Sequence, residues 1–164
     1  MIAAAIAWLA LIVAFDFGQR RVPNTLLIIG GVFALGTLAL NASPWGLEWK
    51  SALTGATVAF AGLLLCYALG VMGAGDVKFA AVLGLWFGAP ALAPIFVGAS
   101  VLAGLHALIW LTVRTAATAW HPVPGNGSAA LRRFCLHPDA ARIPFAGYLA
   151  LTASGWIALQ ALAR

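Results

Sequence analysis

Residues 79–113, FAAVLGLWFGAPALAPIFVGASVLAGLHALIWLTV, decide the fold, because they contain no Asp, Glu, Lys or Arg. A bilayer core of about 30 Å is crossed by about 20 apolar residues in a helix, so this segment is too long for one span. Pro90 and Pro94 lie near its middle, where prolines interrupt a helix and a chain reversal fits. We therefore predict two helices here, at about 77–88 and 91–113.

Long apolar segments recur along the rest of the chain. Of the 164 residues, 63% are hydrophobic and only 8% are charged, a composition that lacks the polar surface of a water-soluble domain. We predict an all-α, polytopic helical bundle in a lipid bilayer, forming a single domain over residues 1–164 with its N-terminus outside. Its six transmembrane helices are predicted at about 1–15, 24–41, 51–71, 77–88, 91–113 and 144–162.

The first predicted helix is expected to be retained in the folded protein. Residues 1–15 have no basic flank and are followed by Asp16 rather than by the small-residue cleavage site of a signal peptide.

Two further patterns predict how the helices lie in the membrane and pack on one another. Most of the seven Trp lie near predicted helix ends, where anchoring at the membrane interface is typical. Gly84 and Gly88 fit a small-xxx-small face for helix packing.

The basic residues orient the predicted bundle, because Lys and Arg in short loops collect on the cytoplasmic side of a membrane. With six alternating helices, every Lys and Arg except Lys50 and Arg164 falls on one side, and residues 114–142 form a cytoplasmic loop. A five-helix alternative would put Lys78 and Arg114 on opposite sides and weaken this asymmetry. The basic residues do not cluster with aromatic side chains on a polar face, so we predict no nucleic-acid partner.

Two of the four acidic residues, Asp16 and Asp76, lie at the predicted cytoplasmic ends of different helices. An ionisable group at membrane depth is costly and suggests a function. Two carboxylates brought together cannot easily both ionise, so one keeps a proton while the other is charged. The charged member can take a proton from water while the protonated member donates to a peptide carbonyl. Such a pair can hydrolyse an amide without a metal or another cofactor.

Other interpretations of the two acids stay open at this point. Each Asp could pair with a nearby base, Asp16 with Arg20 or Arg21 and Asp76 with Lys78. Both could instead be ion sites of a small proton- or cation-coupled transporter. The chain has no cysteine pair and no histidine pair at metal-ligand spacing, so we predict no metal and no cofactor, and we assign no role to His106.

Gly73 and Gly75 precede Asp76 in the sequence GAGD, which lies between two predicted membrane helices. Glycine permits backbone conformations and close approaches that other residues do not, and it leaves space beside the acid. A simpler interpretation is that these glycines end the preceding helix.

Two motifs together resemble the type IV prepilin peptidases. Residues 16–24, DFGQRRVPN, are similar to the family's pattern of an Asp, basic residues and then Ile/Val-Pro-Asn, with Pro23 and Asn24 at its end. Residues 73–78, GAGDVK, resemble its second motif, GxGDxK, with Lys78 at its end. Residues 142–145, RIPF, are similar to the start of the family's last helix.

This resemblance implies a GxGD-type membrane aspartic peptidase with Asp16 and Asp76 as its catalytic residues. It implies a multi-pass protein of the bacterial inner membrane that cuts a short basic leader from a pilin-like precursor at the cytoplasmic face. Larger members also methylate the new N-terminus and carry an insertion with four cysteines. This chain has neither, so it is similar to the short, peptidase-only branch of tight-adherence (Flp-type) pili.

Two alternatives within pilus-related biology stay open, an archaeal preflagellin peptidase and a non-catalytic pilus assembly subunit. Among the supporting residues, we predict that Lys78 anchors its helix at the membrane edge. We predict that Asn24 caps the second helix and that Pro23 fixes the start of that helix.

Overall fold

The computed structural model describes residues 1–119 and 143–163. Within them the chain forms helices and no strand, which confirms the predicted all-α class. The predicted start of the loop at residue 114 is wrong, because the fourth helix continues to Ala119, and the remainder of that predicted loop lies outside the described residues. The helices are α1 (Ile2–Gln19), α2 (Asn24–Ala39), α3 (Trp49–Ala68), α4 (Ala74–Ala119) and α5 (Phe145–Leu162).

The outward faces of these helices are apolar. Within residues 1–119 and 143–163, four helices are long and apolar enough to cross a membrane, namely α1, α3, α5 and the Ala74–Val113 part of α4, whereas α2 is apolar but shorter. Ile28, Val58 and Val101 are each 63% exposed, which a water-soluble bundle would avoid in such numbers. The predicted helical membrane bundle is confirmed, and the count of six full spans stays a prediction.

The long helix α4 turns back on itself at Gly88. This residue has φ 72° and ψ 173°, a conformation that glycine adopts and other residues avoid. In a straight helix, at 1.5 Å per residue, Asp76 and Ala103 would lie about 40 Å apart. Both residues nevertheless line one cleft, so α4 consists of two arms that run in opposite directions. The predicted reversal occurs at the glycine, while Pro90 and Pro94 lie inside the helix.

The first arm of α4 packs on α3 through glycines that let the two backbones touch. A Cβ atom on Gly84 would lie 2.4 Å from the backbone nitrogen of Ala56, and one on Gly55 would lie 2.7 Å from that of Ala89. Both distances are well below van der Waals contact. The small-xxx-small face predicted at Gly84 and Gly88 is therefore confirmed as a backbone contact at Gly84, whereas Gly88 is the reversal residue and meets the side chains of Leu47 and Ser51. We call the contact of Gly55 and Gly84 the glycine seam.

Two tryptophans hold α2 against the core of the bundle. The indole N–H of Trp8 donates to the carbonyl of Leu26 at 2.9 Å, and that of Trp86 donates to the carbonyl of Gly30 at 3.1 Å. Both rings are buried and stack at 6.0 Å between centroids. The prediction of an interfacial anchor is therefore wrong for Trp86, which lies near a predicted helix end, because its N–H group finds a partner inside the bundle. The largest fully buried side chains of the described residues are Leu9, Ile12, Phe79, Leu83, Ile95 and Leu149.

Candidate functional site

Asp16 lies inside the last turn of α1 and is almost completely buried, with 5% of its surface exposed. The predicted helix end at residue 15 is wrong, because α1 continues to Gln19. The helix ends where Arg20 adopts the left-handed conformation, with φ 52°, and its N–H donates to the carbonyl of Asp16 at 2.9 Å. The carboxylate is thus mounted on a regular helix and turned toward the interior of the bundle.

Asp76 lies in the first turn of α4, where the helix dipole favours a negative charge. Its backbone N–H donates to the carbonyl of Gly73 at 3.1 Å. A Cβ atom on Gly73 would lie 3.1 Å from Oδ2 of Asp76, tighter than ordinary contact, whereas one on Gly75 would meet open space. Of the two glycines in GAGD, Gly73 is therefore the one that leaves room beside the acid.

The N-terminus of α5 faces both acids. The N–H of Gly147 donates to Oδ2 of Asp16 at 2.6 Å, and the backbone N–H of Ala146 points at the carboxylate of Asp76. The first N–H groups of a helix have no acceptor within that helix, so they are free to bind carboxylates. A Cβ atom on Gly147 would lie 2.5 Å from the ring of Phe17, so only glycine allows α5 to approach α1 this closely.

Asp16 and Asp76 share a cleft of about 930 Å³ at one end of the bundle. They are close enough for the negative charge of Asp16 to act on Asp76, while Arg20 places a positive charge near Asp16. The structure thus brings together the two acids that the sequence predicts as a pair, although they belong to different helices. The cleft is also lined by residues of the α1–α2 and α3–α4 connections and by the starts of α2 and α5 with the residues just before α5, among them Arg21, Asn24, Val71, Met72, Ile143 and Phe145.

The neighbouring bases do not pair with the acids. Lys78 instead donates from Nζ to Oδ1 of Asn24 at 3.4 Å, which links the starts of α4 and α2. Among the described residues no ion pair joins Asp16 or Asp76 to Lys78 or to an arginine. The predicted capping role of Asn24 is wrong: Pro23 occupies the N-cap position of α2 and no side chain caps the helix. No three His, Cys, Asp or Glu within residues 1–119 and 143–163 lie together as metal ligands.

His106, which has no predicted role, has a hydrogen-bond partner across the bundle. Its Nδ1 pairs with the hydroxyl of Tyr148, and the two rings meet edge to face at 5.8 Å. Tyr148 also packs edge to face on Phe17 at 5.4 Å, beside Asp16. No sequence pattern could have revealed this pair, because its members lie on different helices and each fits an apolar helix face.

Residues 3–108 match the model of the type IV leader peptidase family, and these residues make up more than half of the chain. The chain belongs to the type IV leader peptidase family. No curated protein and no solved structure matches it. The stretch shared with the leader peptidase family includes both Asp16 and Asp76 and ends before α5 begins. Membership of this family supports a peptidase activity and confirms the family resemblance that the two motifs predict.

Proposed function

We propose that this chain is an aspartic endopeptidase that removes a short basic leader from a pilin-like precursor. The carrying observation is that Asp16 and Asp76 line one cleft, with the N-terminal amides of α5 directed at both carboxylates. Membership of the type IV leader peptidase family supports the choice of substrate class. Two carboxyl groups within one site can supply both the base and the acid that peptide hydrolysis needs.

In the proposed reaction one carboxyl group is charged and the other is protonated. The charged carboxylate takes a proton from a water molecule, and the water oxygen attacks the carbonyl carbon of the scissile peptide. The protonated carboxyl donates its proton to the carbonyl oxygen, which gives a tetrahedral diol. Proton transfer to the amide nitrogen then breaks the C–N bond and releases a new carboxyl group and a new amine. The pair acts as one unit throughout, so the roles belong to the dyad.

The position of the cleft supports cleavage at the cytoplasmic face of the bacterial inner membrane. Arg20 and Arg21 line the cleft, Lys78 lies beside it, and basic residues at helix ends collect on the cytoplasmic side. Lys50 lies at the start of α3, the opposite end of the bundle, where Gly88 turns near Leu47 and Ser51. A cleft of about 930 Å³ is large enough for several residues of an extended peptide.

Cleavage of candidate pilin precursors in cells that co-express this chain tests the proposal. The variants are Asp16→Asn and Asp76→Asn, with Glu48→Gln as a matched control, since Glu48 is exposed and precedes α3 at the opposite end. We expect leader removal with the wild type and with Glu48→Gln, and none with either Asp variant, at equal amounts of inserted protein. Cleavage that persists in both Asp variants would overturn the enzymatic role and favour the transporter alternative.

A further inference from the structure

The His106–Tyr148 pair lies directly behind the wall of the cleft. Ala103 lines the cleft, and His106 follows it by one helical turn on the same face of the second arm of α4. Tyr148 immediately follows Gly147, whose N–H holds Asp16. The pair therefore connects the second arm of α4 to the residue next to a carboxylate-binding amide.

We propose that His106 and Tyr148 form a positioning pair that holds the first turn of α5 against Asp16 and Asp76. This inference rests on the proposed function, because it assigns a task within the same site. The Tyr148 hydroxyl is held by Nδ1 of His106, and its ring is held by Phe17, which adjoins Asp16 along α1. Three helices are thus tied together at one point, and the amides of Ala146 and Gly147 face the dyad from that point.

Deeper contacts keep α5 in place without this pair. The hydroxyl of Thr152, one turn further from the cleft, lies 3.0 Å from the carbonyl of Ile95 and 2.9 Å from that of Tyr148 in its own helix. A Cβ atom on Gly98 would lie 2.9 Å from the Thr152 side chain, so the second arm of α4 and α5 are in close contact there. We therefore expect loss of the His106–Tyr148 hydrogen bond to loosen the first turn of α5, where the contacts with Asp16 and Phe17 remain, and to leave the rest of the helix packed.

The consequence for catalysis is a loss of turnover rather than of substrate binding. A displacement of about 1 Å in a catalytic group can lower a rate about 100-fold. Neither side chain of the pair lines the cleft, so neither is placed to contact the precursor. We therefore expect removal of the hydrogen bond to lower kcat about 10- to 100-fold and to change KM by no more than about twofold.

Steady-state kinetics of leader removal by the purified full chain, with a pilin precursor as substrate, test the pair. Tyr148→Phe and His106→Leu should each show the loss in kcat, and the double variant should fall no further than either one. His106→Asn should restore most of the rate, because its side-chain amide can place a hydrogen-bonding atom near the position of Nδ1. Thr152→Val, the control at the deeper contact, should keep kcat within about twofold of the wild type.

Wild-type kcat in both Tyr148→Phe and His106→Leu would overturn the positioning role. So would independent losses that multiply in the double variant, a change confined to KM, or no recovery in His106→Asn. Failure of the proposed function is distinguishable, because it would show as cleavage by Asp16→Asn and Asp76→Asn. Inactive Asp variants together with a fully active Tyr148→Phe and His106→Leu would overturn the pair alone.

Discussion

Glycine brings helices together at several places in this bundle, and two of these places differ in the atoms that meet. In the glycine seam, a Cβ atom on Gly84 would strike the backbone of α3 at Ala56. Where α5 meets α1, a Cβ atom on Gly147 would strike the ring of Phe17 and lie 3.3 Å from a carboxylate oxygen of Asp16. The first contact is between backbones and sets the fold. The second contact lies beside Asp16, so the close approach of α5 to α1 positions a residue of the candidate site.

Of the glycine contacts, the glycine seam is where we expect substitution to have the largest effect. Gly84→Leu must push α3 and the first arm of α4 apart, and over-packing of this kind costs about 3 kcal/mol at the upper end of the usual range. We expect a large loss of folded protein, measured as thermal unfolding in detergent and as the amount of inserted chain. Gly104→Leu is the control, since a Cβ atom at Gly104 on the same helix would meet open space. Equal stability of the two variants would contradict the close packing of the seam.

The next effect belongs to the contact between α5 and α1. Gly147→Ala should displace the amide that holds Asp16, so we expect leader removal to slow about 100-fold while most of the protein still folds. Gly155→Ala on the same helix, where a Cβ atom meets open space, should keep wild-type activity. If Gly147→Ala lost stability and activity in the same proportion, this contact would stabilise the fold as the glycine seam does and would have no separate role in positioning Asp16.

The smallest effect separates the two glycines of GAGD. Gly73→Ala adds a Cβ methyl group that would lie 3.1 Å from Oδ2 of Asp76. The carboxylate must therefore shift by a few tenths of an ångström. We expect about a tenfold loss in the rate of leader removal, because catalytic groups tolerate little displacement. The loss in Gly75→Ala should be clearly smaller. The reverse order in a kinetic assay would show that Gly73 does not shape the site.

Much of the fold could be predicted from the sequence, because charge-free apolar segments have few stable arrangements other than membrane helices. The prolines in residues 79–113 predict a reversal, but it occurs at Gly88, whose positive φ no sequence pattern displays. Trp86 lies near a predicted helix end and therefore resembles an interfacial anchor in sequence. Its burial depends on where the carbonyl of Gly30 in α2 lies, which only the packed bundle determines.

The candidate site also contains some residues that the sequence predicts and others that only the structure reveals. Asp16 and Asp76 stand out in the sequence because acids are so rare in it, and the structure places both in one cleft. The amides of Ala146 and Gly147 could not be predicted, because every residue except proline carries a backbone N–H and nothing marks these two. Asn is a common helix-capping residue, but the side chain of Asn24 instead accepts a hydrogen bond from Lys78, because α4 brings that lysine close.

The central claim is that Asp16 and Asp76 act as one catalytic unit in leader removal. The most direct test is kcat/KM for Asp16→Asn, Asp76→Asn and the double variant, with equal amounts of folded protein. We expect each single change to lower kcat/KM by about 1000-fold or more, equivalent to about 4 kcal/mol of transition-state stabilisation. The kcat/KM of the double variant should be no lower than that of either single variant, because the loss of one carboxyl group already abolishes the function of the pair. Substantial activity in either single variant, or losses that multiply in the double variant, would contradict the claim.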